Sequence, residues 1–207
     1  MIRLRNGAGI VNVKPITSES WTRFGAQPIF LTADRFQLPR QKASMSKTHE
    51  YTTRLEWNGN LGTGTSTYAG YGRDYTVAVH GKPDMRGSAD PMFRGNPARN
   101  NPEDLFVASI SACHMLTYLA LCARKGVSVV AYEDNAKGML VLDADWNGKF
   151  EQVILNPVVT IDDGEKQSVA IDLHEEAHKA CFVAASCSVP IHHAATVRVR
   201  SETESQQ

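Results

Sequence analysis

The stretch Asn101-Pro102-Glu103-Asp104-Leu105-Phe106-Val107-Ala108-Ser109-Ile110-Ser111-Ala112-Cys113-His114-Met115-Leu116 decides how the rest of the chain is read. Asn101 is a good N-cap, Pro102 suits the first helical position, and Glu103 and Asp104 face the positive end of a helix dipole. Leu105, Ala108, Ala112, Leu116, Leu119 and Ala123 recur at spacings of three and four, and Gly126 follows Arg124 and Lys125 as a stop. The pattern predicts one long, largely buried helix with a cysteine, Cys113, at its middle.

Downstream of that helix, β-rich runs at residues 127–132, 138–144 and 150–162 are separated by turn signals at Asn147-Gly148 and Asp163-Gly164. A second helix is predicted over 165–180, and a last strand over 194–200, where Ala195, Val197 and Val199 alternate. Upstream, residues 50–57 read as a strand, Asn58-Gly59-Asn60 as a turn, and 61–65 and 75–79 as further strands of an antiparallel meander. Residues 81–100, crowded with Gly, Pro, Arg and Asp, read as a long loop of the kind compact domains keep for function. The order β-β-β-α-β-β-α-β, with two long helices and antiparallel sheets, is an α+β arrangement.

Residues 1–44 show no sustained period and are interrupted by Pro15, Pro28 and Pro39. The domain reading is therefore an N-terminal extension, 1–45, expected to be poorly ordered, followed by one domain, 46–207. Met45 stands immediately before the first clear strand pattern and is a candidate natural start. A basic, acid-poor leader also fits an organelle-targeting segment.

The whole 207-residue chain has no net charge, which offers nothing to a nucleic-acid backbone or an anionic membrane. Neutrality hides an asymmetry: the first 45 residues carry seven Lys/Arg against two Asp/Glu, and the remainder fifteen against twenty. No run approaches roughly 18 consecutive apolar residues and no secretory signal is evident, so the expected location is the cytoplasm. Four cysteines are too few for a disulfide-dense scaffold. Catalytic, metal-binding or buried thiols are the readings that remain.

By itself, Cys113 reads either as a buried structural thiol or as a working one, since cysteine is among the most buried residue types. Cys181 follows the predicted last turn of the second helix, where His178 and Lys179 favour a thiolate. Cys122, nine residues after Cys113, falls on the opposite helix face and is assigned to packing. Cys187, in Ser186-Cys187-Ser188, is assigned to structure or to a backup thiol. His174, His178 and Cys181, at i, i+4 and i+7, would align three zinc ligands, with Cys113 or His114 as a fourth. The absence of any C-x-x-C pair weighs against that reading. His192 and His193 are expected at the surface or in a strand.

The helix start Asn101-Pro102-Glu103-Asp104-Leu105, the cysteine ten residues after the glutamate, and the segment ending Ala177-His178-Lys179-Ala180-Cys181 together resemble the OsmC/Ohr hydroperoxide reductases. The Gly-rich pair of strands around 59–65 is also similar, and the resemblance spans about residues 48–200. It implies an OsmC-like fold, an intertwined homodimer with each site at the subunit interface, and a peroxidase that turns organic hydroperoxides into alcohols without a cofactor or metal. Cys113 matches the peroxidatic cysteine and Cys181 the resolving one; an external dithiol, such as a lipoyl group, resets the pair. The family activates its thiol with an arginine held by the glutamate that matches Glu103. Arg73, Arg86, Arg94 and Arg99 are candidates, and Arg94, nine residues before Glu103, fits best by spacing. Glu103 has a simpler use as an acidic residue on a helix N-terminus. Because Cys113 lies ~15 Å along a straight helix from Glu103, the two share a site only if the helix kinks near Ala108 or if they meet across a dimer. Phe182 stands where many relatives have proline. The alternative is a nonenzymatic redox sensor or zinc module built on His174, His178, Cys181 and Cys113.

Overall fold

Asn101 closes the start of the central helix in the computed structural model, which describes residues 2–6, 9–13 and 47–201. The Asn101 side chain accepts from the Asp104 amide at 2.7 Å, and Asp104 accepts from the Asn101 amide at 3.1 Å, a reciprocal capping box. From there α1, Pro102–Arg124, runs 23 residues without interruption, and Gly126 ends it at a φ of 68°, a left-handed position that glycine adopts without strain. The cap, Pro102, the acidic first turn and the glycine stop are where the sequence placed them.

The buried edge of α1 is not the expected one. Ile110, His114, Tyr118 and Cys122, spaced every four residues, are the buried set, whereas Ala108, Ala112, Leu116 and Ala123 are exposed, Leu116 by 63%. The small apolar face carried the clearer pattern and remains uncovered within one chain. By length and composition α1 is apolar enough to cross a membrane, with an 18-residue window of mean hydropathy 1.8 and 22% of that window buried inside the chain. A search for consecutive apolar residues passes over it because serines and a histidine interrupt the run. Its buried edge packs on a second helix and on two sheets.

After α1 come β6 (Val129–Asp134), β7 (Lys137–Leu142), β8 (Gly148–Leu155) and β9 (Pro157–Ile161), then α2 (Gln167–Ala180), the one-turn α3 (Phe182–Ala185), β10 (Ile191–His193) and β11 (Thr196–Val199). The single strand expected over 150–162 is two, divided at Asn156. Its amide is taken by Asp134 at 2.7 Å and its side-chain NH₂ by the Asn135 carbonyl at 2.9 Å, which fixes the point where the chain leaves one sheet for another. The sheets run β10-β8-β7 and β11-β9-β6. In each, the pairing between earlier strands is antiparallel and the last strand joins in parallel, so the sheets are mixed and not purely antiparallel. β10 was missed because Ile191-His192-His193 offers only three residues of pattern.

Two core clusters sit on either side of the Asn156 break. Tyr118 and Cys122 of α1 meet Ala170, Leu173 and Ala177 of α2 and Val159, Ile161 and Val197 of the β9/β11 sheet. Ile110 meets Val153 and Leu155 of β8, with Phe106, Phe150 and Ile191 around them. α1 is the one helix that enters both.

Ahead of α1, β3 (Arg54–Trp57), β4 (Tyr75–Ala78) and β5 (Met85–Gly87) form an antiparallel sheet in the order β3-β4-β5. The third strand lies in the region expected to be loop, and residues 61–65 are not a strand. β3 is exposed along its whole length, with Leu55 67% and Trp57 43% accessible.

The chain divides into two compact units, Met1–His49 and Glu50–Gln207. In the first unit, β1 (Ile2–Asn6) and β2 (Gly9–Val13) pair as an antiparallel hairpin from Ile2↔Val13 to Asn6↔Gly9. The expectation of no local pattern overlooked the β-branched residues flanking Gly7-Ala8-Gly9. The expected poor order of the rest of the extension, and the start at Met45, lie outside the described residues.

Replacing Asn101 by alanine removes the cap from a helix that enters both cores. Asn101→Ala is expected to lower the unfolding free energy by about 1–2 kcal/mol, read as a lower urea midpoint at unchanged slope in circular dichroism.

Candidate functional site

Cys113 sits midway along α1, and Cys181 occupies the junction where α2 ends and α3 begins, with extended backbone that caps both. The Cys181 sulfur accepts from the Ala184 amide at 3.4 Å, as an N-cap side chain does. Packing of α1 on α2 then brings the two thiols beside one another, although 67 residues separate them. Both are free cysteines.

Their surroundings differ. Cys181 is 1% exposed and Cys113 half-buried. Burial pushes the Cys181 thiol up to about 11, and the contact with Cys113 adds to the rise; the amides of Ala184 and Val183 oppose it only in part. Cys181 therefore keeps its proton at neutral pH. The pair is asymmetric in its surroundings: Cys181 is enclosed and Cys113 is accessible.

Cys113 opens on a groove of about 630 Å³ lined by Ser109, Leu116, Thr117, Ala180 and Phe182, with Arg124 at one end. Arg124 is eleven residues along the same helix, ~16 Å away, too far to touch the thiol. Leu116 is an apolar residue of α1 that lines this groove. Met115 borders a different cavity, of about 850 Å³, and Phe106 a third.

Glu103 lies in the 850 Å³ cavity with Asp90, Asp104 and Asp134, on the other side of α1; Ala112 borders both spaces. Since α1 has no break near Ala108, Glu103 and Cys113 do not meet within one chain. Arg94 follows a single 3₁₀ turn, Pro91–Phe93, at a φ of 67°, and its exposed side chain has no hydrogen bond or ion pair among the described residues. Arg99 is paired with Asp74 at 3.1 Å. Arg73 lies 4.5 Å and 3.9 Å from the ring centroids of Tyr68 and Tyr71 and donates to both their carbonyls. The structure joins the two expected cysteines and leaves the expected glutamate and arginine elsewhere. Cys122 is buried in the core beside Tyr118, as its helix position required, and Cys187 donates to the Val183 carbonyl at 3.1 Å.

Beside the thiols lies a cluster of four histidines, three of which the sequence grouped as zinc-ligand candidates and one of which, His193, it left apart. His114 of α1, His174 and His178 of α2, and His193 of β10 have ring centroids 5.4 to 6.2 Å apart in four pairings. His114 Nε2 and His174 Nδ1 are 3.1 Å apart. With that nitrogen engaged and Cys181 turned to Cys113, the expected zinc triad of His174, His178 and Cys181 does not converge. Among the described residues, no group of three or more His, Cys, Asp or Glu is placed to hold a metal ion. The i, i+4 run Ile110-His114-Tyr118-Cys122 was the available signal for His114, masked because a histidine and a tyrosine do not register as a core stripe.

Burial lowers His114 to about 4, helped by His193 and His178 and opposed by Asp134; burial, then His114 and His193, lowers His174 to about 3. Both are neutral at pH 7.

Residues 95–194 match the family model described as OsmC-like protein. No curated protein matches the chain. Among solved structures, an OsmC-like protein of unknown function from Vibrio cholerae is 28% identical over 72% of this chain and 100% of its own, with a TM-score of 0.64. Organic hydroperoxide resistance proteins from Elizabethkingia anophelis and Legionella pneumophila share the fold at 19% and 16% identity. They cover 75% and 74% of this chain and all of their own, each with a TM-score of 0.54.

An unfolded histidine takes up a proton near pH 6.5, which the folded His114 and His174 refuse until about pH 4 and 3. Their contribution is therefore complete above about pH 6.5 and is lost as pH falls toward 4. Thermal melts should show a lower midpoint at about pH 5 than at about pH 7.5, with a smaller difference in His174→Asn, whatever that variant's stability at the higher pH.

Proposed function

Because residues 95–194 form an OsmC-like domain that places the chain in the OsmC/Ohr family, we propose that it is a thiol peroxidase that reduces organic hydroperoxides to alcohols. The observation that carries the proposal is the thiol pair itself: an enclosed Cys181 beside an accessible Cys113 that opens on an apolar-edged groove.

The Cys113 thiolate attacks one oxygen of the hydroperoxide. The O–O bond breaks, the alkoxide leaves and takes a proton to become the alcohol, and Cys113 becomes a sulfenic acid. The Cys181 sulfur then attacks Cys113, an S–S bond forms, and the hydroxyl departs as water with the Cys181 proton. A dithiol, of which a lipoyl group is one example, supplies two electrons and two protons to restore the pair. Leu116 and Phe182, 63% and 84% exposed at the groove, give an apolar substrate body a surface that hydrogen peroxide cannot use. Four free cysteines and a dithiol reductant suit a reducing compartment, the cytoplasm.

The working form is a homodimer. Support comes from the uncovered face of α1 and from β3, where Leu55, Trp57 and Leu116 leave apolar area in water that a second copy would bury. Pairing also supplies the route by which Glu103 and an arginine of one chain reach Cys113 of the other. Arg94 is the arginine proposed, its side chain being without a partner among the described residues.

With cumene hydroperoxide and dihydrolipoamide, the wild type should turn over many times. Cys113→Ser should lose at least about 10²-fold in kcat/KM, and Cys181→Ser should consume one equivalent of peroxide and stop. Stoichiometric oxidation of the wild type without turnover would leave a thiol switch and sink the enzyme. Arg94→Ala should lower kcat/KM about tenfold or more; an unchanged rate in that variant with a fall in Arg73→Ala would move the activating role to Arg73. Sedimentation should give about twice 22.8 kDa, and a monomer at working concentration would remove Glu103 and Arg94 from the site.

A further inference from the structure

The His114 and His174 rings are coplanar within 7°, with centroids 5.4 Å apart and the facing nitrogens 3.1 Å apart. Nitrogens that close between centroids that far apart lie along the line joining the rings. The contact is thus an N–H···N hydrogen bond in the shared ring plane and not a face-to-face stack. The true stack is on the neighbouring side, where Tyr118 covers His174 at 3.9 Å and 14°.

These contacts form a ladder between two antiparallel helices. Tyr118 Oη donates to the Ala170 carbonyl at 3.0 Å; one turn back on α1 and one turn on along α2, His114 meets His174; beyond them Cys113 meets Cys181. The histidine rung is costly. Both rings are 1% exposed, and His114 Nδ1 and His174 Nε2, at the outer ends of the bonded pair, are buried without partners. Two apolar side chains of similar volume would fill the same space without stranding a polar atom. What apolar packing lacks is direction: it tolerates sliding and rotation of one helix on the other, whereas a linear hydrogen bond between two rigid rings fixes both spacing and register. The groups that face the pair do not supply such a link. His193 of β10 faces both rings and pairs with Glu175, itself bound to Lys179; His178 of α2 and Asp134 of β6 are further neighbours of His114; and Tyr132 of β6 lies against Tyr118.

We propose that the His114–His174 hydrogen bond is a positioning element that sets the gap and register between α1 and α2 at which the Cys113 and Cys181 sulfurs meet. Among the described residues neither histidine is hydrogen-bonded to a cysteine sulfur, and the pair acts through the helices that carry the thiols. The inference takes from the proposed function only that Cys113 and Cys181 close to a disulfide, and it does not depend on a peroxide as oxidant.

The test equilibrates full-length protein with glutathione buffers, in which the two thiols pass two electrons and two protons to oxidised glutathione, giving the protein disulfide and two reduced glutathiones. His114→Phe keeps the ring volume and removes the bond; it should lower the equilibrium constant for the Cys113–Cys181 disulfide at least about tenfold. His114→Gln with His174→Asn keeps a donor near Nε2 and an acceptor near Nδ1 without either imidazole, and should return the constant to within about threefold of wild type. Should circular dichroism show His114→Phe unfolded, His174→Gln, whose amide lies a methylene beyond Nδ1, serves as the breaking variant. A disulfide that closes equally well in a folded breaking variant overturns this proposal alone, as does a failure of the Gln/Asn pair to restore it. Absence of a Cys113–Cys181 disulfide in the unaltered protein overturns the thiol pairing and this proposal together.

Discussion

Burial of one edge of α1 is the constraint on which the rest of the structure depends. Ile110, His114, Tyr118 and Cys122 go into the interior, and together they reach three partners: Ile110 meets β8, His114 and Tyr118 meet α2, and Cys122 meets the β9/β11 layer. A helix with a four-residue stripe inside must leave the neighbouring stripe outside, and here that stripe is Ala108, Ala112, Leu116 and Ala123. Cys113 lies between the two. It is close enough to the buried edge to reach Cys181 and close enough to the open face to border a groove.

The same burial sets the chemistry of the two sulfurs. Cys181 occupies a helix junction that closes it from water, and enclosure favours the uncharged thiol. The enclosure comes from where the second helix ends. Among the described residues, Arg124 borders the Cys113 groove but stands too far along α1 to touch the thiol, and the length of an unbroken α1 keeps the carboxylate of Glu103 away.

Much of the fold was legible because its signals are local. A cap, a proline, two acids and a glycine bracket α1 within 26 residues, and each acts through the backbone beside it. The divided strand at Asn156 was not legible, because its cause is a hydrogen bond that the Asn156 amide donates to Asp134, 22 residues earlier. The three-residue strands at Met85–Gly87 and Ile191–His193 were missed for the same reason: they are strands only because a neighbour is there to pair with. The face of α1 was misread because apolar periodicity reports what can be buried and says nothing of which neighbour does the burying. When that neighbour is a second copy, the best apolar stripe is the exposed one in a single chain.

The sequence by itself determined that α1 exists, where it starts and stops, that Cys122 faces away from Cys113, and that the family pattern singles out Cys113 and Cys181. These follow from helix geometry and from motifs whose parts lie within a few turns of one another. Only the tertiary structure decided that the two thiols meet, that Cys181 is the enclosed one, that Glu103 opens on a different cavity, and that His114 and His174 are bonded to each other. Each of those facts depends on how α1 lies against α2. That packing is set by side chains 50 or more residues apart, whose meeting leaves no trace in the local pattern of either helix.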